Sequence, residues 1–157
     1  MKIIRVAEVY RLYGVACASI PEDTSLADVI SRFALEPGLR GVFLVDSRQR
    51  FSSMISRIDL MRWAHLQLSR GKGMRKIAVS EFFRIVDAKK AKDLARRGMR
   101  SFSVRENDTL QTALERMLDY EEDIIPVLDE DGKIIGDLRL SEVLLKVLEM
   151  GKHREET

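Results

Sequence analysis

The sequence Ile-Pro-Val-Leu-Asp-Glu-Asp-Gly-Lys-Ile-Ile-Gly occupies residues 125–136 and indicates two strands joined by a tight turn. Apolar residues lie on both sides of a polar run at residues 129–132, whose composition is typical of a hairpin turn. After the second strand, residues 140–148 have the apolar spacing of an amphipathic helix. This stretch therefore predicts a strand, a turn, a second strand and a helix.

The same hairpin pattern occurs once earlier in the chain. Residues 42–45 are an apolar run, residues 46–50 a polar turn and residues 51–55 a second strand-like run. Asp46 of the first turn matches Asp129 of the second at an offset of 83 residues. A repeat of this length determines the architecture before any residue is given a role.

An amphipathic helix precedes each hairpin. Residues 26–34 and 110–118 both carry apolar residues at positions i, i+3, i+4, i+7 and i+8, which predicts one buried stripe on each helix. A strand-like stretch precedes each helix, at residues 15–20 and 101–104. The chain is therefore predicted to be an α+β protein built from a β-α-β-β-α unit repeated twice.

The two repeats are expected to divide the chain into residues 1–73 and 74–157. Residues 6–11 match residues 79–84 at an offset of only 73, so the second repeat would carry about 11 extra residues. This basic insertion falls within residues 86–100, which hold six Lys and Arg side chains and are predicted to be helical. The basic face is either a solvated surface or an interaction surface.

Composition excludes several classes of protein. Of 157 residues, 45% are hydrophobic and 33% are charged, which is typical of a globular chain and not of a disordered one. No apolar run approaches the roughly 18 residues of a membrane span, and the first residues lack the apolar core of a signal peptide, so a cytoplasmic protein is expected. One cysteine and two distant histidines make a metal site unexpected.

The net charge of +2 hides an uneven distribution of charge along the chain. The sums of the charges are +5 for residues 1–83, +6 for residues 84–105 and −9 for residues 106–157. Nucleic-acid binders carry a basic excess over a whole domain or face, so nucleic-acid binding is not the expected function.

Residues 125–136, together with the turn Ser-Arg-Ile-Asp at residues 56–59, resemble the cystathionine-β-synthase (CBS) domain family. The first copy departs from the family pattern, with Phe43 where the second copy has Pro126. The resemblance covers nearly the whole chain and implies a tandem pair, or Bateman module, packed about a pseudo-twofold axis. It also implies two clefts between the repeats that commonly take adenosine-containing ligands.

The resemblance assigns the main cleft to the motif Ser56-x-x-Asp59. The Asp59 carboxylate can accept hydrogen bonds from both ribose hydroxyls, and the helix start at Ser56 suits a phosphate. In the family, the other repeat completes the cleft. The residues assigned are Ser56, Arg57, Asp59, Arg100, Phe102, Glu122, Asp123 and Ile124, with the arginines for phosphate and the main chain of 123 and 124 for adenine. The alternative is a helix cap with an acidic first turn.

The second cleft is expected to differ, because Arg139-x-x-Glu142 replaces Ser-x-x-Asp. In one interpretation Arg139 blocks the cleft. In the other, Arg139 and Arg40 bind an anion while Glu142 takes the ribose and Ala18 and Gly41 line the base. A weakened or empty second cleft is the expectation.

The predicted function is that of a stand-alone regulatory module without catalysis. Its ligand would be AMP, ADP, ATP or S-adenosylmethionine, no cofactor would be required, and occupancy would be signalled to a protein target that the sequence does not identify. The alternatives are a ligand-free dimerisation or scaffold module, and nucleic-acid binding through the basic insertion. A homodimer is expected through the helices at residues 58–68 and 140–148.

Overall fold

The computed structural model of the protein describes residues 3–10, 17–69 and 79–155. The helices are α1 (Leu26–Leu35), α2 (Arg57–Ser69), α3 (Val79–Val86), α4 (Ala91–Leu94), α5 (Leu110–Tyr120) and α6 (Leu140–Glu155). The strands are β1 (Cys17–Pro21), β2 (Gly41–Val45), β3 (Phe51–Ser56), β4 (Val104–Arg105), β5 (Ile124–Leu128) and β6 (Ile134–Arg139). Two short 3-10 helices are Val6–Glu8 and Met99–Ser101. The described residues do not include residues 15 and 16 of the first predicted strand. They also do not include residue 11, the last residue of the segment 6–11 that matches residues 79–84 in sequence.

The strands form two three-stranded sheets with the same topology. In the first, β1 runs parallel to β2, and β2 runs antiparallel to β3. In the second, β4 runs parallel to β5, and β5 runs antiparallel to β6. A parallel pair needs a crossover connection, which α1 and α5 supply. The predicted α+β fold with two β-α-β-β-α repeats is confirmed.

The hairpins close through the same local bonds. Asp46 Oδ1 accepts from the N–H groups of Arg48 and Arg50 at 2.8 and 3.1 Å. Asp129 Oδ1 accepts from the N–H groups two and four residues later, both at 2.9 Å. An Asp side chain that satisfies its own turn stabilises that turn, which is why the polar runs are reliable signals.

The chain forms two compact units. The central unit is Val15–Met99, and the terminal unit combines Met1–Gly14 with Arg100–Thr157. Each unit contains one sheet and its flanking helices. The predicted boundary between residues 73 and 74, which concerns the sequence repeats, stays a prediction.

A short segment completes each unit from elsewhere in the chain. In the central unit, residues 89–91 are joined to residues 24–26 by two backbone hydrogen bonds of 2.8 Å. In the terminal unit, residues 4–6 are joined to residues 108–110 by equivalent bonds of 2.8 and 2.9 Å. The two segments therefore play the same structural part.

This correspondence differs from the one that the sequence suggested. The bonds equate residues 4–6 with residues 89–91 at an offset of 85, whereas the sequence match at residues 6–11 gave an offset of 73. The continuous basic helix predicted within residues 86–100 is also wrong, because that segment contains only the four-residue helix α4. Backbone bonds to residues 22–26 hold the segment extended next to α4.

The buried stripes of α1 and α5 are shorter along the helix than predicted. Leu26 and Val29 of α1 and Leu110, Ala113 and Met117 of α5 are buried. The last position of each predicted stripe is exposed, at residues 34 and 118. The buried residues therefore lie in the first turn of α1 and in the first two turns of α5.

Candidate functional site

The turn at residues 56–59 lies where β3 ends and α2 begins. Asp59 is only 4% exposed. Its Oδ2 accepts a hydrogen bond from the Ser56 N–H at 2.9 Å and another from the Ser56 hydroxyl at 3.1 Å. A buried carboxylate is costly unless hydrogen bonds and a cation stabilise it. Ser56 provides the hydrogen bonds.

The cation at this turn is Arg96. Its Nε lies 3.8 Å from Asp59 Oδ1, and its side chain is 27% exposed. The Arg96 carbonyl accepts a hydrogen bond from the Ser53 hydroxyl of β3 at 3.0 Å, which fixes the backbone beside the turn. Sequence reasoning placed Arg96 only in the basic run. The signal that could have found it is Lys90-x-x-Asp93, which matches Arg5-x-x-Glu8 and marks the segment that docks on this unit.

Three other predicted site residues lie at the same end of this sheet. Gly41 of β2 pairs with Ser56 of β3, and Ala18 of β1 pairs with Val42 of β2. Arg40 directly precedes β2 and is exposed. The structure thus brings Ala18, Arg40 and Gly41, predicted for the second cleft, close in the sheet to the Ser56–Asp59 turn.

Arg57 has a structural contact that the sequence did not indicate. Its Nε donates to the Leu39 carbonyl at 3.0 Å, and its Nη2 donates to the Pro37 carbonyl at 2.6 Å. These bonds satisfy carbonyl groups after α1, in the chain that leads into β2. Two of its three donor nitrogens are therefore directed to the loop, and with these bonds kept the predicted contact of Arg57 with a phosphate would fall to Nη1.

The matching turn of the terminal unit is built differently. Glu142 is 8% exposed, and its Oε1 accepts from the Arg139 N–H at 3.1 Å, in the same way that Asp59 accepts from Ser56. Arg139 Nε donates to Oδ1 of the buried Asp137 at 3.2 Å. Arg139 Nη2 is buried and makes no hydrogen bond to any residue in the described part of the chain.

The remaining predicted residues of the main cleft belong to the terminal unit. The Asp123 carbonyl accepts from the Leu140 N–H at 2.9 Å, and Ile124 pairs with Arg139 in the sheet. Phe102 is fully buried, and its ring centroid lies 5.0 Å from that of Tyr120. Arg100 is exposed and Glu122 half-buried. Phe102 is therefore part of the core of its unit, and its side chain could meet a ligand only after repacking.

In each unit, predicted residues on the paired strands lie at the end of the sheet where the antiparallel hairpin meets its helix, with Gly41 and Ser56 in the central unit and Ile124 and Arg139 in the terminal unit. The predicted clefts combine residues of both units, and that combination stays a prediction. Among the described residues, no three His, Cys, Asp or Glu side chains are grouped so that they could hold a metal ion. No helix in the described ranges is both long enough and apolar enough to cross a membrane.

Comparison with known proteins agrees with this architecture. The family model described as CBS domain matches the chain twice, at residues 15–66 and 91–149. Its second match begins at α4, which belongs to the central unit. None of the curated proteins compared with the sequence matches it significantly.

Several solved structures share the fold at low sequence identity. A CBS domain-containing protein from Thermotoga maritima is 23% identical with a TM-score of 0.72, over 95% of this chain and 97% of that one. CBSX2 in complex with AMP is 21% identical with a TM-score of 0.67, over 94% and 98%. The CBS domain pair of protein MJ0100, in complex with 5′-methylthioadenosine and S-adenosyl-L-methionine, is 14% identical with a TM-score of 0.63, over 96% and 99%. The two matches to the family model and the two repeated sheets show that this chain belongs to the CBS domain family, as a tandem pair.

Proposed function

We propose that the chain is a non-catalytic regulatory module whose Ser56–Asp59 turn binds an adenosine-containing ligand, AMP, ADP, ATP or S-adenosylmethionine, and whose occupancy is signalled to a partner protein. The observation that carries this proposal is the buried Asp59 carboxylate, which is 4% exposed at the start of α2 with an arginine 3.8 Å away. An acid, a hydroxyl and a cation together offer an acceptor for ribose hydroxyls and donors for an anion.

The ligand residues follow the two predicted clefts. The main cleft would use Ser56, Arg57, Asp59, Arg100, Phe102, Glu122, Asp123 and Ile124, and the weaker second cleft Ala18, Arg40, Gly41, Arg139 and Glu142. Arg139 Nη2 gives the second cleft a buried donor, and Nε of the same side chain already donates to Asp137. Asp137 and Glu142 offset the charges of Arg40 and Arg139, so this cleft holds no excess of positive charge to attract a phosphate.

The fold neighbours support the ligand class. CBSX2 was solved with AMP, and the MJ0100 pair with 5′-methylthioadenosine and S-adenosyl-L-methionine. Adenosine is the chemical group that these ligands share, and its ribose diol is the part that a carboxylate recognises. The diol is therefore the feature that the Asp59 carboxylate is proposed to bind in this chain.

Calorimetric titration of the ligand-free protein with AMP, ADP, ATP and S-adenosylmethionine tests the proposal. We expect saturable binding of at least one of them, and we expect Asp59→Ala to weaken it by about 2 to 4 kcal/mol through the loss of two charge-assisted hydrogen bonds. Asp46→Ala is the matched control, because Asp46 also accepts from backbone N–H groups but lies at the opposite end of the β2–β3 hairpin.

A purely structural Asp59 would give a different result. Asp59→Ala would then lower the melting temperature and leave nucleotide affinity equal to that of the wild type, and the proposed site would be wrong. Glu142→Ala is expected to have the smaller effect on affinity, because the turn in the terminal unit carries the additional carboxylate.

A dimerisation module is the second candidate function, and exposed apolar side chains favour it. On α6, Leu144, Leu145, Val147 and Leu148 are 53–65% exposed, and on α2, Ile58, Met61 and Leu68 are 50–87% exposed. Exposed apolar side chains grouped on one helix commonly mark an interface. We therefore propose a homodimer through α2 and α6, which sedimentation at high micromolar concentration would contradict by showing only an 18.0 kDa species.

Nucleic-acid binding through the basic segment has less support. Lys90 and Lys92 both lie near Asp23, with Nζ to Oδ1 distances of 3.8 and 2.9 Å. Part of the basic charge is thus balanced within the central unit, which weakens attraction to phosphate backbones.

A further inference from the structure

Arg96 stands beside the proposed ligand site without being one of the residues that the sequence assigned to it. Its guanidinium Nε lies 3.8 Å from Asp59 Oδ1. Charge-assisted hydrogen bonds between nitrogen and carboxylate oxygen measure about 2.7 to 2.9 Å. The contact is therefore an ion pair held by charge at a longer distance, which a good hydrogen-bond donor can displace.

The backbone of Arg96 is fixed although its side-chain contact with Asp59 is long. The preceding residues Leu94 and Ala95 are buried, at 2% and 5% exposure. Arg84 Nη1 donates to the Ala95 carbonyl at 2.6 Å, and the Ser53 hydroxyl donates to the Arg96 carbonyl at 3.0 Å. The guanidinium is thus held near the turn by its backbone, whereas its long side chain retains reach.

A ligand with a ribose diol would compete directly with this ion pair. Two hydroxyl donors on Asp59 would satisfy the carboxylate and weaken its attraction for Arg96, whose side chain is 27% exposed. A 5′-phosphate on the same ribose supplies a stronger anion for the guanidinium, whose geometry matches phosphate oxygens in a two-bond contact. A neutral nucleoside supplies no anion, and the sulfonium of S-adenosylmethionine adds a positive charge.

We infer that Arg96 determines the specificity of the Ser56–Asp59 turn, balancing Asp59 when the turn is empty and binding the 5′-phosphate when a nucleotide enters. The site then selects a nucleoside 5′-phosphate over adenosine and over S-adenosylmethionine. This inference rests on the proposed function and names the ligand class within it.

Calorimetry with AMP and with adenosine, on the wild type and on Arg96→Gln, tests the inference. We expect Arg96→Gln to weaken the binding of AMP by about tenfold to 100-fold, as for the loss of a hydrogen bond to a charged group. The affinity for adenosine should change by less than about threefold, and the affinity for S-adenosylmethionine should not fall. Arg97→Gln is the matched control, because it removes the same charge from the next, exposed residue and should leave the ratio of the two affinities unchanged.

Arg96→Lys separates specificity from folding. It keeps the positive charge that balances Asp59 but loses the planar guanidinium with its paired donors. The affinity for AMP should therefore fall severalfold, and the affinity for adenosine should stay unchanged. Circular dichroism shows which variants fold. Equal weakening of AMP and adenosine in the folded variants, or no weakening of AMP, would overturn the role of Arg96. A wild-type chain that binds none of the adenosine ligands would instead overturn the proposed function.

Discussion

In the central unit, the cation beside the helix-start turn comes from Arg96, whereas in the terminal unit it is part of the turn itself, as Arg139. The Arg96 pair with Asp59 measures 3.8 Å, and the Arg139 pair with Asp137 measures 3.2 Å and includes a hydrogen bond. With Arg57, Asp59 and Arg96 counted, the central turn has a net charge of +1. With Asp137, Arg139 and Glu142 counted, the terminal turn has a net charge of −1. The same backbone plan thus gives one turn with a loosely held cation and one whose cation is tied to its own strand.

The two units differ also in what covers their helices. In the central unit, α3 packs against α2 with Ile85 buried, and the Gln67 side chain donates to the Val86 carbonyl at 3.3 Å. In the terminal unit, α6 carries Val143, Val147 and Met150 at the positions that match Leu60, Ala64 and Gln67 of α2. These residues of α6 line an open apolar groove of about 400 Å³. Among the described residues, a helix occupies this position in the central unit, and none does in the terminal unit.

Double-mutant cycles on the two ion pairs measure the first difference directly. Asp137→Ala should lower the free energy of unfolding by about 3 kcal/mol, because it leaves Arg139 largely buried without its carboxylate. We expect a coupling energy of about 2 kcal/mol for Asp137 with Arg139 and about 1 kcal/mol for Asp59 with Arg96. Urea denaturation of the single and double variants gives both values. Equal coupling energies would show that the longer distance does not weaken the central pair.

The covered and open grooves predict different costs for matching core truncations. Ile30 of α1 packs against the core cluster that contains Ile85 of α3, whereas its counterpart Leu114 of α5 lines the open groove. We expect Ile30→Ala to cost about 3 kcal/mol and Leu114→Ala about 1 to 2 kcal/mol, because an open groove loses less packing when a side chain is shortened. Urea midpoints measure both costs. Leu118→Ala, at a position 69% exposed, is the control and should cost little. A larger cost for Leu114 would mean that the groove is filled in solution.

Local patterns made the hairpins and repeat predictable. Asp46 and Asp129 each bond backbone N–H groups within four residues, so neighbouring letters in the sequence carry the whole signal. The offset of 83 between them identified the repeat without any tertiary information. The Ser56-x-x-Asp59 turn is local in the same sense, and its internal hydrogen bonds follow from the spacing of three residues.

Long-range docking was not predictable from the sequence. Residues 4–6 and 89–91 each pair with the rest of their unit through main-chain hydrogen bonds. Because such bonds do not require particular side chains, the similarity of the two segments is too weak to detect by comparing their sequences. The pairing of Arg96 with Asp59 joins residues 37 positions apart and depends on that docking. Arg57 was assigned to a phosphate by its nearness in sequence, but nearness did not reveal its bonds to carbonyls in the loop after α1.

The smallest expected difference between the units concerns pH. Lys92 Nζ lies 2.9 Å from Asp23 Oδ1, and the hydrogen bond and charge of Lys92 hold the pKa of that carboxyl below its usual value. At the matching place in the terminal unit, Arg5 Nη1 donates to the backbone carbonyl of Asn107, whose side chain does not titrate. A carboxyl with a lowered pKa in the folded state contributes stability above its unfolded pKa and loses it as pH falls through the folded pKa. At this position of the repeat, acid sensitivity is therefore expected in the central unit and not in the terminal unit.

Titration of the Asp23 carboxyl by nuclear magnetic resonance tests this last difference. Lys92→Gln should return the pKa of Asp23 toward its usual value, because the hydrogen bond and most of the attraction are lost. Lys90→Gln is the matched control and should move it less, since Lys90 Nζ lies 3.8 Å from the same oxygen. Because the pair is exposed, raising the ionic strength should reduce the shift in the wild type. Identical titration of Asp23 in the wild type and both variants would show that the ion pair does not persist in solution.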